Sequence, residues 1–194
     1  TLRRSTPTRA DVKQFLPVLL LAVTACGGQQ PGAAPAVAET AVGPIPLTGR
    51  VVDRADVLTP EQELDLTSKL EALEKATTDQ VVIVTLPSLG SGTIEQTGMA
   101  LGRGWKIGRP ELDNGVLLIV APDERKGRVE VGYGLEGLLT DRRAAETVEI
   151  LLAKFRAGDL AGGVVAGTDH IVAFLHADAK RPRYLNEQRK KLAA

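Results

Sequence analysis

Three oxygen-rich points along the chain have the residue types and spacing to do chemistry. Asp113-Asn114-Gly115 stands directly before an apolar run. Gly132-Tyr133-Gly134-Leu135-Glu136-Gly137 follows an alternating run, and Asp141 comes soon after it. Carboxylate and carboxamide oxygens without histidine or cysteine suit a hard cation, Ca2+ or Mg2+, rather than zinc or copper. Each point also has a plainer reading. Asn-Gly is a strong tight-turn signal, and Asp141 can serve as a helix cap or first-turn acid. Asp53 and Asp56 flank a helix start and can ligate or simply favour the helix dipole. The G-x-G-x-x-G spelling lacks the context of a dinucleotide fingerprint, because no parallel strand follows it. It reads as a loop whose glycines need positive φ. His170 and His176 are six apart on a helix and so lie on different faces. No G-x-S-x-G elbow, Walker loop or H-E-x-x-H occurs, so nucleophilic catalysis has no clear candidate.

The elements that must position these residues follow from periodicity. Thr59-Pro60-Glu61-Gln62 is a capping-box start with proline at the first helical position, and Leu66, Leu70 and Leu73 then share one face. Gln80–Leu86 and Gly115–Ala121 are continuous apolar runs, as expected of strands buried on both faces. Residues 94–105 are a helix weakened by three glycines. Arg128–Gly132 alternates as a half-covered strand, antiparallel to the run before it across a short turn. Helices follow from Asp141 and from about Asp159. The order is α-β-α-β-β-α-α, with a right-handed crossover between the two central strands. The predicted fold is a three-layer α/β/α sandwich around a mixed, mainly buried sheet. In that topology Asp113, Asn114 and the Gly132–Gly137 loop share one sheet edge, with Asp141 following and Asp79 and Gln80 beside it. Asp53 falls at the opposite end.

The chain has 194 residues, 24 basic and 24 acidic, and a formal net charge of zero. That zero divides into unlike parts. Residues 1–25 are basic and end in an 11-residue apolar run from Phe15 to Ala25, too short to span a bilayer. They read as a secretory signal. The sole Cys, Cys26, closes Val23-Thr24-Ala25-Cys26, which resembles a bacterial lipobox and implies a lipidated, membrane-anchored N-terminus. Residues 26–46 are Gly-, Pro- and Ala-rich and read as a linker. Residues 47–177 form the expected folded domain, and 178–194 a basic tail suited to phospholipid headgroups or an acidic partner. Residues 46–179 carry 14 basic and 21 acidic side chains. Such an acidic body with three Phe, two Tyr and one Trp excludes a nucleic-acid binder. The expected location is the cell envelope, facing the periplasm or outer surface.

Gly49-Arg-Val-Val-Asp53-Arg-Ala-Asp-Val-Leu58-Thr-Pro-Glu resembles the opening motif of the TPM-domain family. That family takes its name from a plant thylakoid lumen phosphatase, a photosystem II repair protein and a nematode receptor modulator. The similarity continues through Trp105-Lys-Ile-Gly108, Asp113-Asn-Gly115 and Arg128 to Asp141. It implies an α/β sandwich with an acidic, calcium-binding cleft, in which Asp113, Asn114, Asp141 and Asp53 match the family's acidic motifs and Gly132, Tyr133, Gly134 and Glu136 form the adjoining loop. Two functions follow from it. One is a non-catalytic factor that assembles, maintains or repairs a membrane complex. The other is a metal-dependent acid phosphatase acting on phosphomonoesters.

Overall fold

The computed structural model describes residues 37–177. Cys26, the leader and the basic tail lie outside them. Helix α1 (Pro60–Thr77) starts as its sequence demands. The Thr59 hydroxyl accepts from the Gln62 N–H, and the Gln62 side chain accepts from the Thr59 N–H. It ends at Thr78, which adopts the left-handed conformation at φ 73°. Its buried Leu66, Leu70 and Leu73 face the sheet.

The sheet contains β3 (Val51–Asp53), β4 (Gln80–Thr85), β5 (Gly115–Ala121) and β6 (Lys126–Val131), in that spatial order. The first three are parallel and β6 is antiparallel to β5. Alternate residues face two cores. Ile83 and Leu118 pack with α1, α3 (Asp141–Arg156) and α4 (Leu160–His176). Val84 and Ile119 pack with α2 (Ile94–Trp105). The molecule is therefore the expected α/β/α sandwich on a mixed sheet. β5 is buried at every position, as its continuous apolarity requires.

Three elements depart from the expected order. β1 (Val37–Thr40) and β2 (Gly43–Pro46) form an antiparallel hairpin where a linker was expected. Only Ala38 and Ile45 of the hairpin are buried, and they pack on the α2 core. Two buried residues among Gly, Pro and polar neighbours leave no periodic signal to read. β3 is three residues long and equally hard to see, although Val51 and Val52 each face one of the two cores.

The crossovers also differ in hand. α1 and α2 each carry the chain one strand further in the same direction, yet they lie on opposite faces. Ile83 faces α1 and its N–H donates to the Arg50 carbonyl oxygen. For an L-residue this places β3 to the right of β4 seen from α1. The β4–α2–β5 connection is thus right-handed, as expected, and β3–α1–β4 is left-handed, against a preference of about 98%. A three-residue strand carries little of the twist that enforces the usual path.

Candidate functional site

The amino-terminal edge of the central strands gathers most of the expected residues. Asp113 takes a left-handed backbone at φ 45°, closing the turn into β5. The Gly132 N–H donates to the Gly115 carbonyl at 2.8 Å, and the Gly134 N–H to the Asp113 carbonyl at 3.1 Å. A Cβ on Gly132 would strike the Asp113 carbonyl, and one on Gly134 the Leu112 carbonyl. The glycines are needed for this close approach, not for positive φ: neither Gly132 nor Gly134 has one. Their loop is a short 3-10 turn, Tyr133–Leu135.

Asn114 is fully buried and wholly engaged. Its Oδ1 accepts from the Arg109 N–H at 2.9 Å, and its Nδ2 donates to the Thr78 carbonyl at 2.7 Å and to Asp79 Oδ1 at 3.2 Å. It staples the end of α1 to the start of β5. Next to it, Gln80 Oε1 accepts from the Gly108 N–H at 2.8 Å, and Gln80 Nε2 donates to Glu74 Oε1 at 3.0 Å. Glu74 is ion-paired to Arg50 at 2.5 Å.

The other expected ligands are elsewhere. Asp53 lies at the carboxyl end of β3, where Oδ2 accepts from the Leu58 N–H at 2.8 Å and Oδ1 from the Thr85 hydroxyl. Asp141 follows the cap Thr140 in the first turn of α3 and lines a groove with Gly127, Arg128, Val129 and Glu149. Asp113, Glu136 and Asp141 are exposed, with no side-chain hydrogen bond or ion pair among the described residues. No three His, Cys, Asp or Glu side chains among the described residues are grouped to hold a metal ion. Asp53 and Asp141 therefore do not join Asp113 and Asn114 at the amino edge. His170 meets the Thr147 hydroxyl at 2.9 Å and the edge of Phe174.

Beside this edge opens a cleft of about 600 Å³, lined by Thr48, Arg50, Glu71, Gln80, Trp105 and Lys106 among others. Arg50 and Lys106 lie 56 positions apart in the chain with no motif joining them, so only the fold brings these two cations to one surface. Trp105 forms part of its floor and is 3% exposed, its Nε1–H donating to the Ile45 carbonyl at 2.8 Å. Trp105 is thus a core residue fixed by the hairpin.

The fold and this edge define an α/β/α sandwich domain whose glycine loop is pressed against an Asp-Asn-Gly turn. The TPM-domain signature matches residues 51–174, and the chain belongs to the TPM-domain family. A solved N-terminal domain of a protein from P. gingivalis is 32% identical over 69% of this chain and 85% of its own, with a TM-score of 0.64. The BA42 protein of the psychrophile Bizionia argentinensis is 22% identical, covering 61% of this chain and 81% of its own at a TM-score of 0.53. The N-terminal domain of the cg2496 protein from Corynebacterium glutamicum shares the fold at 16% identity and a TM-score of 0.51, over 65% and 79% of the two chains. No functionally curated protein matches the chain.

Proposed function

We propose that this chain is a membrane-tethered, extracytoplasmic TPM-domain module that serves the assembly, maintenance or repair of a membrane complex by binding rather than by turnover. The observation that supports a non-catalytic role is the state of the Asp113–Asn114 edge. The Asn114 carboxamide is consumed by the fold's own hydrogen bonds, and Asp53, bonded to Leu58 and Thr85, is at the other end of the sheet. What remains is the exposed carboxylate of Asp113, which takes Ca2+ or Mg2+ weakly and with mostly water ligands. The tether is Cys26, lipidated and followed by a short lead to the hairpin, with the basic tail adding attraction to anionic headgroups. No helix among the described residues is long and apolar enough to cross a membrane.

The second reading, a metal-dependent phosphomonoesterase, has one observation in its favour: Arg50 and Lys106 share a cleft and could hold a phosphate. Phosphate release from a phenolic monoester, assayed on the full chain with and without Ca2+ and Mg2+, separates the two. We expect no metal-dependent turnover, and we expect Cys26→Ser to move the protein from the membrane fraction to the soluble one. Metal-dependent turnover that disappears in Asp113→Ala would establish the phosphatase instead.

A further inference from the structure

We propose that the cleft between α1 and the end of α2 is a binding site for a small zwitterion: an anionic group at one end, an ammonium at the other, and an apolar body between. The inference rests on the non-catalytic reading, because the phosphatase reading gives the same cleft to a phosphate. Its argument begins with charges that the fold leaves unanswered. Lys106 and Glu71 both line the cleft and both are exposed. Lys106 projects from the left-handed cap that ends α2, and Glu71 from α1. Neither forms an ion pair or a side-chain hydrogen bond with any described residue, so the two do not neutralise each other.

Arg50 is a second cation in the lining. Its backbone is locked because its carbonyl accepts from the Ile83 N–H at 2.8 Å. Its guanidinium is anchored to Glu74 at 2.5 Å, yet its Nε is buried with no acceptor among the described residues. A buried donor without a partner is costly, so an acceptor supplied by a ligand is favoured there. The Glu74 pairing answers the Arg50 charge, and the unpaired Lys106 and Glu71 leave the rest of the lining with no net charge. A polyanion therefore gains little from this cleft, whereas a ligand with one charge of each sign meets both. The floor is apolar: Val82, Trp105 and Ile107 line it together with Leu47. A volume of about 600 Å³ lies within the ordinary range for small-molecule sites.

Trp105 is the only tryptophan in the chain and lines this cleft, so its fluorescence is the signal to follow. The full chain should be titrated with two zwitterions of different charge spacing, leucine and 6-aminohexanoate. Hexanoate and hexylamine serve as single-charge controls with a similar apolar body. At least one zwitterion should change the signal saturably below about 10 mM, with both controls roughly tenfold weaker. Lys106→Gln should weaken the zwitterion and hexanoate but spare hexylamine, and Glu71→Gln should weaken the zwitterion and hexylamine but spare hexanoate. Both residues are exposed, so these variants retain the fold, and a matching melting curve verifies this. The proposal is overturned if neither zwitterion saturates, if hexanoate binds as well as the zwitterion, or if neither variant alters binding.

Discussion

The two ends of the central sheet are closed in different ways. Open α/β sheets usually take ligands beyond the carboxyl ends of their strands. Here that end is closed by its own acids. Asp53 ties the Leu58 N–H to the Thr85 hydroxyl, and Thr85 Oγ1 in turn accepts from the Ala55 N–H at 3.0 Å. Glu124 accepts from the Ser88 hydroxyl at 2.7 Å and the Leu89 N–H at 2.9 Å. At the amino end the loops are held by backbone against backbone, with glycines where any side chain would intrude. The amides there, Asn114 and Gln80, are spent on the same joints, and Asn114 is fully buried as a staple. Acids are thus structural at the end where this fold class usually binds, while the opposite end keeps a cleft with charges still unpaired.

Crowding at the amino end should give the largest effect. Gly134→Ala places a methyl group on the Leu112 carbonyl oxygen, a backbone atom that cannot step aside. Overpacking against backbone should cost about 3 kcal/mol, which lowers Tm by roughly 10 °C in a domain of this size. A calorimetric Tm within about 2 °C of the parent would mean that the glycine loop is not held against the Asp113 turn, and the contrast between the ends would fail.

Removing an acid at the carboxyl end should cost less. Asp53→Ala leaves the Leu58 N–H without its acceptor and frees the Thr85 hydroxyl, which should lower stability by about 1–3 kcal/mol in denaturant titrations. Because Asp53 and its partners Leu58 and Thr85 do not line the cleft, the Trp105 response to zwitterions should be unchanged. A variant that loses that response at unchanged stability would show the ends to be coupled, not separate.

How much of this was visible in the chain depends on how local each signal is. The α1 capping box shows plainly because Thr59 and Gln62 are three residues apart and both are needed for one hydrogen-bond exchange. β4 and β5 show because burial on both faces makes each a continuous apolar run. The shared edge of Asp113 and the Gly132–Gly137 loop follows from the antiparallel β5–β6 pairing, which a short turn fixes. The hairpin is hidden because one buried side chain per strand makes no pattern. Asp53 matches a motif, but its carboxylate answers to Leu58 and Thr85, a pairing that only the β3–β4 register creates. The same holds for Arg50, Lys106 and Glu71, whose meeting depends on three separate elements and on a left-handed crossover that no local rule predicts.

The smallest effect separates the ends by pH. The Leu89 N–H, and after it the Ser88 hydroxyl, hold the Glu124 carboxyl below its ordinary value. The folded state therefore binds fewer protons at this site than the unfolded state does. Its stabilisation is fully present above the ordinary glutamate range and is lost as pH falls through the lowered folded value. Glu124→Gln keeps an acceptor oxygen for both donors but removes the charge that makes those hydrogen bonds strong. Glu61 and Glu95, lowered chiefly by their own backbone N–H groups at the helix starts, are the same in parent and variant and cancel from the difference. The Tm gap between parent and Glu124→Gln should accordingly be widest near neutrality and shrink from about pH 5 to about pH 3. A gap that stays constant over that range would mean that the carboxylate charge at Glu124 does not hold the carboxyl end closed. The same scan on Gly134→Ala, which crowds a backbone carbonyl and touches no charged group, should show a deficit with no such acid-dependent closing.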